Sequence, residues 1–181
     1  LSRDSFFSQL DELRVDDQAN VLMIIDVDHF KKINDNFGHP IGDKALILLG
    51  GVFRKILRKN DLVGRIGGEE FGMFLPDTSA PEGQIIGEII RHEIENTIFE
   101  PHHNMRHVIT VSIGVTDIAP HQDRATLMGN ADTALFTAKR RGRNQVARFE
   151  PGLIANPPPG PSRAQDCQPL AAQPTPRWSR K

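Results

Sequence analysis

Two adjacent carboxylates, Glu69 and Glu70, lie at a glycine-rich bend, in a run of two glycines, two glutamates and a phenylalanine at positions 67–71. The segments on either side, 62–66 and 71–75, are apolar and predict two short strands joined by a tight turn. Because glycine permits positive φ and a close approach of a ligand to the backbone, this hairpin tip suits a metal ion held by carboxylate oxygens. An exposed acidic turn is the alternative explanation for these five residues taken alone.

A second acidic segment lies upstream, where the apolar run 21–25 is followed by Asp26, Val27 and Asp28. Such a run predicts a buried strand, and a carboxylate at the end of a buried strand costs free energy unless it has a partner. If Asp26 approaches the glutamate hairpin, the oxygen atoms form the kind of site that Mg²⁺ or Mn²⁺ prefers when it also holds substrate phosphates. Asp28 has a simpler alternative role as the cap of the following helix.

Several motifs, in order and at compatible spacing, make the chain resemble the GGDEF family of diguanylate cyclase domains. The motifs are Asp26–Asp43, Gly67–Phe71, Val111–Val115, Ala131–Leu135 and Gly142–Asn144. The resemblance covers about residues 1–150. It implies an α+β fold with a palm-like, ferredoxin-like central antiparallel sheet flanked by helices, in the element order βααββαβ found in nucleotide cyclases. It also implies an enzyme that condenses two GTP molecules into cyclic di-GMP and two pyrophosphates.

Hydrophobic periodicity agrees with an α+β sandwich. Two stripes at helical spacing predict helix faces packed on a sheet, one over residues 45–57 and one over residues 85–98. Strands are expected near 21–27, 62–66, 71–75, 108–115 and 146–149. The histidines at positions 102, 103 and 107 are expected in a loop, where surface histidines without a function are common.

The resemblance implies a metal site and a catalytic role for the two glutamates. Asp26, the backbone carbonyl of Val27, Glu69 and Glu70 would hold one or two Mg²⁺ (or Mn²⁺) ions that bridge the triphosphate. Glu69 is also the implied group that deprotonates the attacking 3′-hydroxyl, with Glu70 assisting. Because one site holds one GTP, a homodimer is implied during turnover.

Asn34 and Asp43 match the positions that hydrogen-bond guanine in this family. A carboxylate acceptor complements the N1–H and amino donors of guanine, whereas adenine presents an acceptor at N1, so the match favours GTP over ATP. Both residues have turn or capping roles as alternatives. The implied phosphate contacts are three cations and two helix-terminal amides, namely the side chains of Lys31, Lys139 and Arg143 and the backbone N–H groups of His29 and Phe30. An ordinary solvated basic helix end is the alternative for residues 139–143.

Arg58 and Asp61 form an RxxD pattern upstream of Gly67, and in the family this spacing marks a site where the product cyclic di-GMP binds and inhibits. Arg58 would pair with phosphate or stack on guanine, and Asp61 would accept from the guanine edge. A second family arginine is replaced by Ile89, so product inhibition is expected to be weakened unless Arg91 substitutes. The alternative function is a catalytically silent module that binds cyclic di-GMP or GTP as a receptor or regulator.

Composition divides the chain near Glu150. Eight of the 13 prolines follow that residue, and residues 151–181 are expected to be a disordered Pro-rich tail after a domain at 1–150. The body carries 18 basic and 22 acidic residues, which gives no bulk attraction to a nucleic-acid polymer. Cys167 is the only cysteine, so neither an intrachain disulfide nor a cysteine zinc site is expected. No apolar run approaches the ~20 residues that span a bilayer, so a cytoplasmic domain without membrane contact is expected, in a bacterial signalling protein that could extend further.

Overall fold

The computed structural model describes residues 1–14 and 18–151. The predicted tail lies, from residue 152 onward, outside the described residues, and its disorder therefore stays a prediction. Within the described ranges, none of the helices combines the length and the hydropathy that a bilayer crossing requires. The elements in chain order are α1 (Arg3–Leu13), β1 (Val21–Val27), α2 (Phe30–Phe37), α3 (His39–Ile56), β2 (Leu62–Arg65), β3 (Glu70–Leu75), α4 (Ala80–Asn96), β4 (Phe99–His102), β5 (Met105–His107), β6 (Val111–Asp117), α5 (Arg124–Arg140) and β7 (Val146–Arg148).

A five-stranded sheet in the order β2-β3-β1-β6-β7 forms the centre of the molecule. Its neighbouring strands are antiparallel except for the parallel pair β6 and β7. From β1 to β6 the main elements follow the predicted order βααββαβ, and α1, α5 and β7 are added to it. The prediction of an α+β fold with a mainly antiparallel sheet flanked by helices is therefore confirmed.

The central strand β1 is buried throughout its length, because helices cover both faces of the sheet. This burial explains the continuous apolar run that β1 shows in the sequence. Met23 and Ile25 belong to the core formed with α2, α3 and α4, whereas Leu22 and Ile24 belong to the core formed with α1 and α5. Side chains alternate along a strand. Asp26 therefore lies on the face of the sheet that α5 covers.

Helix α4 buries only part of the isoleucine stripe that predicts its core face, since Ile90 and Ile94 are fully buried and Ile86 packs against the core. Ile85 and Ile89 are 61% and 47% exposed, and Ile98 lies beyond the end of the helix at 60% exposure. The buried side of α4 includes Gly83 and Gly87, which lie against valine side chains of β1 and β7. Because glycines let the helix approach the sheet closely, the buried face extends to Gly83 and Gly87, and apolar periodicity predicts this face only in part.

The segment expected to be a loop around residues 102–107 is a two-stranded hairpin, β4–β5. The ring of Phe37 contacts the rings of His102 and His107 edge-on, with centroids 5.8 and 5.5 Å apart. These aromatic contacts give the two histidines a packing role. His103 lies in the turn of the hairpin.

Candidate functional site

The glutamate hairpin connects β2 to β3 through a tight turn. The backbone N–H groups of Ile66 and Gly67 both donate to the carbonyl of Glu70, at 2.9 and 3.2 Å. Neither Gly67 nor Gly68 has a positive φ, so this turn does not use the left-handed conformation that glycine permits. The reason for glycine at position 67 is instead close approach, since a Cβ there would lie 2.5 Å from Oε2 of Glu70. The turn thus brings the Glu70 carboxylate against the backbone.

Strand register brings the end of β1 beside this hairpin. Asp26 is paired with Glu70 on β3 and with Ser112 on β6. The side chains of directly opposed residues lie on one face of a sheet and are close neighbours. The backbone N–H of Val27 donates to the carbonyl of Glu69 at 3.3 Å, which joins the two segments further. The structure therefore brings Asp26, Val27 and both glutamates together, as the sequence predicts.

A lysine of helix α5 completes this cluster. Nζ of Lys139 lies 2.8 Å from Oδ2 of Asp26, and the Asp26 side chain is only 10% exposed. Burial raises the pKa of Asp26, and repulsion from Asp28 adds to this effect while Lys139 opposes it. Burial and the nearby Asp26 charge likewise raise the pKa values of Glu69 and Glu70. One ammonium group faces three carboxylates, which leaves excess negative charge in a partly desolvated site.

The donor set of this cluster fits a divalent cation. Within residues 1–14 and 18–151, no three His, Cys, Asp or Glu side chains converge into a complete metal cage. Mg²⁺ does not require such a cage, because it commonly takes one or two carboxylates and completes its coordination with water and substrate phosphates. The two opposed carboxylates of Asp26 and Glu70, with the Val27 carbonyl beside them, supply oxygen ligands of this kind. The excess negative charge is the observation that favours a cation here.

Replacing Glu70 with glutamine is expected to stabilise the metal-free protein at neutral pH. A carboxyl group whose pKa is raised on folding binds more protons in the folded state, so its ionisation lowers the free energy of unfolding as pH rises through that pKa. The melting temperature of Glu70→Gln should therefore exceed that of the wild type by a few degrees at about pH 7, with a smaller difference at about pH 4. Thermal unfolding in the presence of a chelator tests this. A wild type that is more stable than the variant at neutral pH would contradict the electrostatic explanation.

The junction of α2 and α3 holds the two residues predicted to bind guanine. Oδ1 of Asn34 is buried and has no hydrogen-bond partner among the residues that the structure describes. Gly42 of α3 lies directly against it, since a Cβ at position 42 would be 2.0 Å from that atom. Asp43 follows Gly42 and is exposed. A buried acceptor without a partner is costly, and a hydrogen-bond donor that reached this amide would relieve the cost.

The predicted phosphate contacts surround the end of β1. Phe30 begins α2, and His29 precedes it as the N-cap with φ 57°. Lys31 is exposed in the first turn of this helix, where backbone N–H groups have no intrahelical acceptor. Arg143 lies just after α5 with φ 66° and is close enough to Asp26 to favour its ionised form. Two of the cations, Lys139 and Arg143, thus lie near Asp26, and the amides and Lys31 follow directly after β1.

Asp28 does not cap helix α2, and the alternative role suggested for it is wrong. Its buried carboxylate accepts hydrogen bonds from Thr110 Oγ1 at 2.9 Å, Ser112 Oγ at 2.7 Å and the Asn144 backbone N–H at 2.9 Å. Asp28 therefore ties the end of β1 to β6 and to the loop after α5. Partners 82 to 116 positions away give no local signal in a sequence.

Sequence reasoning also missed Asp132 as a member of the site. This residue lies on α5, and desolvation raises its pKa. Its charge adds to the forces that raise the pKa of Glu70. The available signal was its spacing, because Asp132 precedes Lys139 by seven residues and two helical turns place both on one side of α5.

Arg58 and Asp61 lie together at the other end of β2. Oδ2 of Asp61 accepts from the backbone N–H of Arg58 at 2.7 Å, so this carboxylate stabilises the turn after α3. The Arg58 side chain lines a cleft of about 210 Å³ with Glu82 and Ile85 of α4. The structure thus brings the two residues together, with one carboxylate oxygen of Asp61 already engaged.

Comparison with known proteins gives one consistent result. Residues 2–145 match the family model described as "Diguanylate cyclase, GGDEF domain". The chain is 36% identical over 149 residues to a probable diguanylate cyclase, DgcT, of Escherichia coli (strain K12). This alignment covers 80% of this chain and 33% of that protein. The chain is 41% identical over 130 residues to the diguanylate cyclase DgcP of Pseudomonas aeruginosa, and this alignment covers 70% of this chain and 19% of that protein. The chain thus spans a third or less of these two relatives.

A solved structure gives the same answer for the fold. The GGDEF domain of DgcB from Caulobacter crescentus, determined in complex with c-di-GMP, superimposes with a TM-score of 0.77 at 32% identity. The superposition covers 82% of this chain and 88% of that one.

Proposed function

The chain belongs to the GGDEF family of diguanylate cyclase domains, and from this premise we propose that it condenses two GTP molecules into cyclic di-GMP and two pyrophosphates. The observation that carries the proposal is the cluster of Asp26, Glu69 and Glu70 around Lys139. Opposed carboxylates with raised pKa values are typical of sites that hold a divalent cation and a polyphosphate. The proposal assigns this activity to residues 1–150 and, because GTP is its substrate, to the cytoplasm.

The residues of the cluster have separate roles in this proposal. Asp26, the Val27 carbonyl, Glu69 and Glu70 would hold Mg²⁺ or Mn²⁺, which when bound supplies neutralisation of the phosphate charge and alignment of the in-line displacement. Glu69 accepts the proton of the 3′-hydroxyl. Its raised pKa suits this role, because a general base is most effective when its pKa approaches the working pH.

Substrate binding uses both sides of the cluster. Asn34 and Asp43 receive the guanine, whose donors would satisfy the buried Oδ1 of Asn34. Lys139, Arg143 and Lys31 bind the triphosphate as cations, and the His29 and Phe30 amides contribute at the start of α2. Each nucleotide then presents its α-phosphate to the 3′-hydroxyl of a GTP held by a second copy of the domain. A two-fold homodimer satisfies this reciprocity.

The proposal includes regulation by product at Arg58 and Asp61. The guanidinium of Arg58 is exposed beside a cleft, where it is accessible to a phosphate. Ile89 stands where the family has a second arginine, and Arg91 is engaged by Glu88 and Glu95 on its own helix. Inhibition by cyclic di-GMP is therefore expected to be weaker than with two free arginines.

Incubation of the purified chain with GTP and Mg²⁺ tests the proposed function. Because two domains must meet, the rate of cyclic di-GMP formation should rise more steeply than in proportion to protein concentration, until the dimer saturates. Product separated by chromatography measures the rate. Tight binding of cyclic di-GMP with no product at any protein concentration would refute the enzyme and support a receptor module.

A further inference from the structure

The loop that follows α5 has an unusual backbone. Gly142, Arg143 and Asn144 have φ angles of 120°, 66° and 47°, so three consecutive residues lie in or near the left-handed region. Glycine and asparagine tolerate this region, but an arginine there is strained. Such strain persists only when the surrounding structure holds it.

A closed ring of side-chain interactions holds this loop to helix α4. Asn144 accepts from Arg91 Nη1 at 3.0 Å through Oδ1 and donates to Glu95 Oε1 at 2.8 Å through Nδ2. The ring closes where Arg91 Nη1 donates to Glu95 Oε2 at 2.8 Å. Glu88 binds Nε of the same arginine at 2.8 Å and fixes its orientation. Arg91, Glu95 and Asn144 thus each contact the other two.

The backbone of the same loop is anchored on its other sides. The Asn144 N–H donates to Asp28, two residues beyond Asp26, and the Arg143 N–H donates to the carbonyl of Ala138 at 3.2 Å. Lys139 follows Ala138 and binds Asp26 directly. The loop therefore connects α4 to the two cations assigned to the triphosphate.

We propose that Arg91, Glu95 and Asn144 are positioning residues, a clamp that holds the loop 142–144 so that Arg143 faces the triphosphate of the nucleotide. The inference rests on the proposed function, since it takes GTP as the ligand. None of the three side chains needs to touch the nucleotide. Their geometry acts through Arg143, whose backbone is held in the left-handed region when the clamp is closed.

An exchange of charge between two clamp residues tests the proposal. Asn144→Asp replaces the amide donor with a carboxylate facing Glu95, which opens the clamp by repulsion. The double variant Asn144→Asp with Glu95→Gln has the amide at position 95 and the carboxylate at position 144. This exchange returns one donor and one acceptor to the pair and restores the net charge of the wild type. Asn144→Gly is a second opened variant, because glycine accepts the positive φ without strain.

Calorimetric titration with 3′-deoxy-GTP and Mg²⁺ measures binding without turnover, because this nucleotide lacks the attacking hydroxyl. Asn144→Asp and Asn144→Gly should each weaken its affinity about tenfold, and the double variant should return to within about threefold of the wild type. GMP, which lacks the outer phosphates, should bind all variants with nearly equal Kd. A purely structural role would weaken both ligands together.

The outcomes separate this inference from the function on which it rests. Wild-type protein that binds 3′-deoxy-GTP, with a folded Asn144→Gly variant that binds it equally well, would overturn the clamp alone. Loss of GMP affinity in parallel with 3′-deoxy-GTP affinity would also overturn it. Wild-type protein that binds no 3′-deoxy-GTP would overturn the proposed function, and the clamp with it.

Discussion

Replacing Asp26 with alanine is expected to lower the rate of cyclic di-GMP formation by about 10³-fold or more, because it removes a central carboxylate from the proposed metal site. Asp26 is the most buried carboxylate of the cluster and lies opposite Glu70. Lys139, the ion-pair partner of Asp26, keeps Glu69 and Glu70 as nearby carboxylates, so removal of Asp26 does not leave the ammonium group uncompensated. The variant should consequently remain folded, and the loss should appear in turnover at saturating GTP and Mg²⁺.

Asp117 offers a matched control on the same sheet. It lies at the opposite end of β6, paired with Val21, and its side chain is exposed. Asp117→Ala should therefore keep wild-type turnover while removing the same number of atoms. Melting temperatures of both variants separate loss of the site from loss of the fold. If Asp26→Ala and Glu70→Ala both retained turnover, the metal-site assignment would be refuted.

The central part of the fold was predictable because its signals are local. The continuous apolar run of β1 and the turn between β2 and β3 can both be recognised within a few residues of sequence. That β1 pairs with β3, in the register that places Asp26 opposite Glu70, is known from the structure. The carboxylates could therefore be identified within two short segments, whereas their approach to one another was a condition of the predicted site, and the role of the cluster in binding metal stays a prediction.

The contacts that sequence reasoning missed are long-range or depend on small residues. Asp28 was assigned a local capping role, but its three partners come from β6, from Thr110 just before β6 and from the loop after α5. Helix α4 has isoleucines around much of its surface, and its buried side combines Ile90 and Ile94 with Gly83 and Gly87, two residues that apolar periodicity does not mark. The clamp of Arg91, Glu95 and Asn144 spans about 50 positions, and nothing in either segment indicates the other. A single sequence carries no signal for such pairs.

Replacing Gly42 with alanine is expected to lower the affinity for 3′-deoxy-GTP about tenfold, because the added methyl group displaces the Asn34 amide that is proposed to bind guanine. A Cβ at position 42 would lie 2.0 Å from Asn34 Oδ1 and 3.2 Å from the Phe30 ring, so the amide must move. The loss should be specific to guanine, since the cations of α5 are unaffected. Titration with 3′-deoxy-GTP and 3′-deoxy-ATP should show a reduced preference between the two bases.

Gly50 provides the control, because it lies in the same helix α3 and a Cβ there meets no atom within 4 Å. Gly50→Ala should raise the free energy of unfolding by about 0.5–1 kcal/mol through helix propensity and leave nucleotide affinity unchanged. The two substitutions are chemically identical, so any difference in binding arises from the contact with Asn34. Undiminished guanine preference in Gly42→Ala would exclude Asn34 from base recognition. A reduced preference for guanine in Gly42→Ala but not in Gly50→Ala would instead show that Gly42 helps to determine substrate choice, although glycine has no side chain that could contact the base.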